Sequence, residues 1–173
     1  MDAIRNIMER VSVRQFSDKE ISDNDLHTIL EAGMAGPSCK NTRDWSFVVV
    51  RDKEMLNKMA DANGPPATPL RNAQMGILVC GDLERSFDLA PEYWVIDGSI
   101  ATQNMILAAH ALGIGSVWLG TWPQEARMQA QAELFHLPET KKPHSLIAFG
   151  YPKEKSVKEK LIWEENRVHY EKW

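Results

Sequence analysis

Arg10, Ser12 and Arg14 alternate along the segment Arg10-Val11-Ser12-Val13-Arg14. In an extended chain their side chains would point to one side. Two guanidinium groups present paired N–H donors and the hydroxyl adds another, a donor set that suits a phosphomonoester. Taken alone, the same stretch also reads as surface arginines paired with nearby acids. A second group of interest is the turn Pro37-Ser38-Cys39-Lys40-Asn41, which leads into Trp45 and is rich in groups that can hydrogen-bond a flat heterocycle. A third is Gly113-Ile114-Gly115-Ser116-Val117-Trp118-Leu119-Gly120. It is not a dinucleotide fingerprint, because a helical segment precedes it and no third glycine follows at the required spacing.

The elements that must position these groups are legible from periodicity. Ile4, Ile7, Met8 and Val11 fall on one helical face, and the more polar run from Ser12 ends that helix. Ser22, with Asp25 three residues on, caps a helix carrying Leu26, Ile29, Leu30 and Met34 that stops near Gly36-Pro37. Trp45 to Val50 is a strand, and Asp52 caps the helix that follows it. Three prolines between Asn63 and Pro69 predict a loop without regular structure. Ile77 to Gly81 reads as a buried strand. Asp97 to Leu112 is a helix apolar nearly all round, suited to a core or a subunit interface. Ser116 to Leu119 is a short strand, Pro123 suits the first turn of a helix running to about Phe135, and Leu146 to Phe149 is a last strand. Beyond Pro152 the chain is charged yet keeps Leu161, Ile162, Trp163, Tyr170 and Trp173, so the tail is expected to pack on something.

With 173 residues, 43% hydrophobic and 25% charged, the chain reads as a single domain over residues 1–173. A net charge of -4 argues against a nucleic-acid partner. No apolar stretch approaches the roughly 20 residues of a membrane span. No secretory signal is evident at the N-terminus, so a cytoplasmic location is expected. Cys39 and Cys80 are too few for a disulfide framework.

Taken in order, the segments Arg10 to Arg14, Pro37-Ser38 to Asn41 with Trp45, Asp97-Gly98 to Asn104, Gly113 to Gly120 and Gly150-Tyr151-Pro152 resemble the nitroreductase family across nearly the whole chain. The resemblance implies an α+β, three-layer fold. Its central mixed, largely antiparallel sheet would be flanked by helices, and its C-terminal segment would extend onto a partner subunit. It implies FMN as a non-covalent cofactor, NADH or NADPH as hydride donor, and a homodimer with FMN sites at the subunit interface. By that resemblance Arg10, Ser12 and Arg14 hold the FMN phosphate and ribityl chain. Pro37, Ser38, Cys39 and Asn41 lie against the flavin bound mainly by the partner. Backbone N–H groups of Trp118, Leu119 and Gly120 reach flavin N5, and Lys158 and Lys160 complete the phosphate site. The chain departs from the family pattern at Arg43-Asp44, where Gln-Pro is common before the tryptophan. Trp45 itself reads as core.

The implied activity is ping-pong hydride transfer from NAD(P)H through flavin N5 to a small electron-poor acceptor such as a nitroaromatic or quinone, with no protein acid or base required. A flavin carrier or sensor, and dehalogenation or dehydrogenation on the same scaffold, are the alternatives. The histidines have no spacing suited to a metal, and none is expected. His110 reads as a satisfied core histidine. Cys39 has no accompanying base in sequence and reads as a small loop residue rather than a nucleophile.

Overall fold

The computed structural model describes residues 2–154, 160 and 163–173. In order these form α1 (Ala3–Glu9), α2 (Asp23–Met34), β1 (Trp45–Val50), α3 (Lys53–Asn63), β2 (Met75–Asp82), α4 (Trp94–Ala111), β3 (Gly115–Gly120), α5 (Glu125–Leu134) and β4 (Lys141–Gly150). The four strands make one sheet in the order β1-β2-β4-β3, and every pairing between them is antiparallel. Among the described residues the parallel component is a bridge from Ser12 to Ser116 on the outer edge of β3.

Alternation along β2 builds the layers. Leu78 and Cys80 enter a core with Leu56, Met59, Leu70, Val117, Leu119 and Leu146, beneath α3 and α5. Ile77 and Val79 point the other way, into a core with Ile29, Met105, Ile106, Ile114 and Phe149, beneath α2 and α4. β2 is therefore buried along its whole length, as the apolar run Ile77 to Gly81 predicts. The result is helices, sheet, helices, the expected α+β three-layer arrangement.

The predicted caps are present. The Ser22 hydroxyl accepts from Asp25 N at 3.1 Å and the Asp52 carboxylate from Met55 N at 2.8 Å. Asp52→Ala should therefore cost about 1 kcal/mol of stability, read as a shift in the denaturation midpoint. An unchanged midpoint would mean that the cap contributes nothing to α3.

Two sequence expectations need correction. The proline-rich stretch is not irregular: Pro65–Asn72 forms 3-10 helix, with Ala67, Pro69 and Leu70 buried. Proline is compatible there because two of the three prolines stand at the helix start, where a backbone N–H has no intrahelical acceptor. Pro123 precedes α5 instead of opening it, because the chain turns at residues 121–124 before Glu125. The apolar stripe of α1 faces outward: Ile4, Ile7 and Met8 are 65%, 48% and 44% exposed, and the helix docks through Asn6, whose amide donates to the Leu107 carbonyl at 2.9 Å. The tail from Trp163 to Trp173 is likewise exposed, and Trp163, Tyr170 and Trp173 are left uncovered by the described residues.

Candidate functional site

α1 ends at Glu9, and Arg10 caps it through a backbone hydrogen bond to Asn6. The chain then runs extended beside β3, with Val13 N donating to the Ser116 carbonyl at 2.9 Å. Ser12 and Arg14 are exposed while Val11 and Val13 are partly covered, so the alternation read from the sequence holds here. Val13 lies close against Gly115, where a Cβ would stand 2.8 Å from the valine Cβ. Only glycine lets the segment approach the strand this closely.

Because Asn6 is fixed to Leu107 on α4, the next turn brings Arg10 to His110. Burial lowers the His110 pKa, and the charges of Arg10 and Lys160 lower it further, against a smaller opposing effect of Glu9. The Lys160 ammonium is likewise lowered, first by burial and then by Arg10. Among the described residues, Arg10, Arg14 and Lys160 join no ion pair with an acid. Among the described residues His110 Nε2 is buried without a hydrogen-bond partner, so the reading of a satisfied core histidine is overturned at that atom. Among the described residues the acid-paired alternative for the arginines is not found either. An uncompensated basic cluster with an orphaned ring nitrogen fits the phosphate of a cofactor such as FMN. Lys158 lies outside the described residues.

From this cluster β3 leads along the sheet edge to Trp118, Leu119 and Gly120. Trp118 is 36% exposed, Leu119 is buried, and a Cβ on Gly120 would meet no atom within 4 Å. An edge strand with open space beside it presents backbone donors to whatever lies there. Behind Trp118 is His144, 3% exposed, with ring centroids 5.8 Å apart. Its ring nitrogens lie 3.2 Å from the Ser99 hydroxyl and 3.0 Å from that of Ser145. Desolvation takes its pKa down to about 4, so the imidazole is neutral near pH 7 and serves as a packed support for Trp118. Sequence spacing gave no sign of it, since Ser99, Trp118 and His144 meet only through the sheet.

Pro37, Ser38, Cys39 and Asn41 stand elsewhere. Their loop enters β1, on the opposite edge of the sheet from β3, roughly 14 Å away across the intervening strands. The loop is held at the first turn of α4, where Cys39 N donates to Asp97 Oδ2 at 3.0 Å. His110 is thirteen residues further along the same helix, a rise of about 20 Å. A concavity of about 360 Å³ along β1, lined by Met34, Arg43, Trp45, Phe47 and Arg85 among others, also lies on this edge. The chain thus places Arg10, Ser12, Arg14 and Lys160 at the β3 edge, but it does not bring the Pro37–Asn41 loop to them. Trp45 is core, as read. Burial raises the Cys80 thiol to about 12, which removes it as a nucleophile at neutral pH. Among the described residues no cluster of His, Cys, Asp and Glu could hold a metal ion, and no helix is long and apolar enough to cross a membrane.

The layered fold with this phosphate-suited edge is that of a known class. The family model described as "Nitroreductase family" matches residues 7–74 and 67–151. A protein of Archaeoglobus fulgidus, named "Putative NADH dehydrogenase/NAD(P)H nitroreductase", is 44% identical over 178 residues, covering 99% of each chain. "FMN reductase [NAD(P)H]" of Bacillus subtilis is 27% identical, over 98% of this chain and 74% of its own. Among solved structures, an "FMN-dependent Nitroreductase" from Clostridium difficile superposes with a TM-score of 0.89 at 28% identity, covering 98% of this chain and 99% of that one. The chain belongs to the nitroreductase family.

Proposed function

We propose that this chain is an FMN-dependent, NAD(P)H-oxidising oxidoreductase forming one FMN-binding domain over residues 1–173, active as a cytoplasmic homodimer on small electron-poor acceptors. The observation that carries the reading is the uncompensated basic cluster of Arg10, His110 and Lys160 at one end of an open strand edge. Family membership and the flavin named for the relatives support it. Bound FMN supplies an electron-accepting ring atom, N5, able to take hydride from NAD(P)H and pass it to an acceptor in a ping-pong cycle.

The chain's own part is positioning and electrostatics. Arg10, Arg14 and the Ser12 hydroxyl donate to the phosphate and ribityl chain, and Lys160 adds a point charge. Of the segment Trp118 to Gly120, the backbone N–H groups of Trp118 and Gly120 lie on the same open side of β3 as the Ser116 carbonyl that meets Val13 and would be the donors toward the ring, where fixed donors favour negative charge. Neutral His144 holds the Trp118 side of that edge without exchanging protons near pH 7. Because Pro37, Ser38, Cys39 and Asn41 stand on the opposite sheet edge, they complete the site of a second subunit. The outward stripe of α1, together with Ile96 on α4, Leu112 just after it and the aromatic tail, is the apolar surface that dimerisation and the C-terminal extension onto the partner would cover. A monomeric protein fully loaded with FMN would overturn the shared site.

The test is the visible absorption spectrum of the purified protein before and after anaerobic addition of NADH or NADPH. Flavin bands that bleach are the expected result. A protein that stays colourless after incubation with FMN overturns the proposal, and bound flavin that neither nucleotide reduces would instead mark a carrier.

A further inference from the structure

The departure at Arg43-Asp44 has a structural partner. Asp44 is wholly buried and Asp97 is 2% exposed, and their side chains face each other within hydrogen-bonding reach. Asp97 Oδ2 accepts from Cys39 N, Asp44 Oδ2 accepts from the Ser86 hydroxyl at 2.9 Å, and Asp44 Oδ1 is buried with no partner. The charged groups around the pair are engaged elsewhere. The Arg43 guanidinium donates to the Met34 carbonyl and Arg85 Nε to the Thr42 carbonyl. Asp82 pairs with Lys141. His144, packed on Gly98, is neutral near pH 7. Among the described residues no cation pairs with either carboxylate. Two buried carboxylates at this separation cannot both ionise without strong repulsion.

The loop they hold is strained. Lys40, Asn41 and Arg43 have φ of 50°, 58° and 54°, a region that side-chain-bearing residues avoid, and such a conformation persists only where its surroundings enforce it. Ser38 Oγ accepting from Arg43 N at 2.9 Å closes the loop on itself, and Asp97 ties it to α4.

We propose that Asp44 and Asp97 share one proton, and that the resulting carboxyl–carboxylate hydrogen bond clamps the Pro37–Asn41 loop in the shape that meets the partner subunit's flavin, making Asp44 a pH-sensitive positioning residue. The flavin-facing role of the loop rests on the function proposed above; the shared proton does not. Burial first, and then the hydrogen bond with Asp44 and the Asp44 charge, raise the Asp97 carboxyl to about 6, against the opposing Cys39 N–H. The pair keeps its proton below that pH and loses it to solvent above, so the clamp is firm on the acid side and loosened by repulsion on the alkaline side.

The experiment compares FMN dissociation constants of the full-length wild type and Asp44→Asn at about pH 5 and about pH 7.5. The asparagine amide donates permanently to Asp97 and so holds the clamped state at both pH values. The FMN phosphate has its own second ionisation near pH 6, but it acts on both proteins, so the ratio of their constants isolates the clamp. Wild type should weaken relative to Asp44→Asn by about fivefold or more between the two pH values, the lower end of typical coupling between sites. Asp97→Asn, whose amide oxygen still accepts from Cys39 N and whose NH₂ donates to Asp44, should behave like Asp44→Asn. In the infrared, the wild type minus Asp44→Asn difference spectrum should show a carboxylic-acid carbonyl band at about pH 5 that disappears by about pH 7.5. FMN bound by wild type with a ratio that does not change with pH overturns the clamp. If wild type binds no FMN, the function proposed above falls, and the infrared band decides the shared proton by itself.

Discussion

Arg10→Ala combined with Arg14→Ala should yield a folded protein that no longer retains FMN. Each charge-assisted hydrogen bond to phosphate is worth about 1.5–3 kcal/mol, so removing both arginines should weaken FMN binding by on the order of 100-fold or more. Riboflavin has no phosphate, and its affinity should barely change. Fold stability without cofactor should not fall. Neither arginine pairs with an acid among the described residues, and Arg10 repels both His110 and Lys160. Fluorescence titration with the two flavins and a thermal scan give all three readings. Full FMN occupancy in the double variant would remove the phosphate assignment, whereas equal losses for FMN and riboflavin would indicate that the segment shapes the ring site instead.

Gly115→Ala should damage stability and cofactor binding together. The new Cβ would lie 2.8 Å from Val13 Cβ and Cγ2 and 2.9 Å from Cγ1. Those atoms belong to a branched side chain close to the backbone, so the extended segment itself has to move. Overpacking of this kind costs about 1–3 kcal/mol, and the movement displaces Ser12 and Arg14, which flank Val13. A fall of several degrees in Tm accompanied by weaker FMN binding is expected. Gly120→Ala is the contrast: with no atom within 4 Å it should leave Tm unchanged and disturb only the flavin. A Gly115→Ala protein with wild-type Tm and FMN affinity would show that the segment is not anchored through this contact.

Much of the architecture was legible because local forces set it. The aromatic and β-branched run of β1, the short apolar run of β2, caps at Ser22 and Asp52, and the apolar run of α4 are properties of neighbouring residues, and the elements stand close to where those patterns put them. The misreadings came where distant partners decide. Where Ile4, Ile7 and Met8 face was not written in their spacing: the helix docks through a part-buried hydrogen bond from Asn6, and that apolar face points outward. The prolines from Pro65 to Pro69 break an α-helix but not the short 3-10 helix found there.

For the site, the sequence by itself determined the donor set: Arg10, Ser12 and Arg14 alternate, and an extended backbone places such residues on one side whatever the rest of the chain does. Three things were decided only by the tertiary structure. His110 joined the basic cluster because α1 crosses the end of α4. Asp44 and Asp97, 53 positions apart in the chain, faced each other only once the loop before β1 docked on the helix start. The Pro37–Asn41 loop was separated from the basic cluster by the strand order β1-β2-β4-β3. Residue types and short spacings are written in the chain, but the proximity of groups far apart along it is set by which surfaces bury against each other, and no local pattern carries that information.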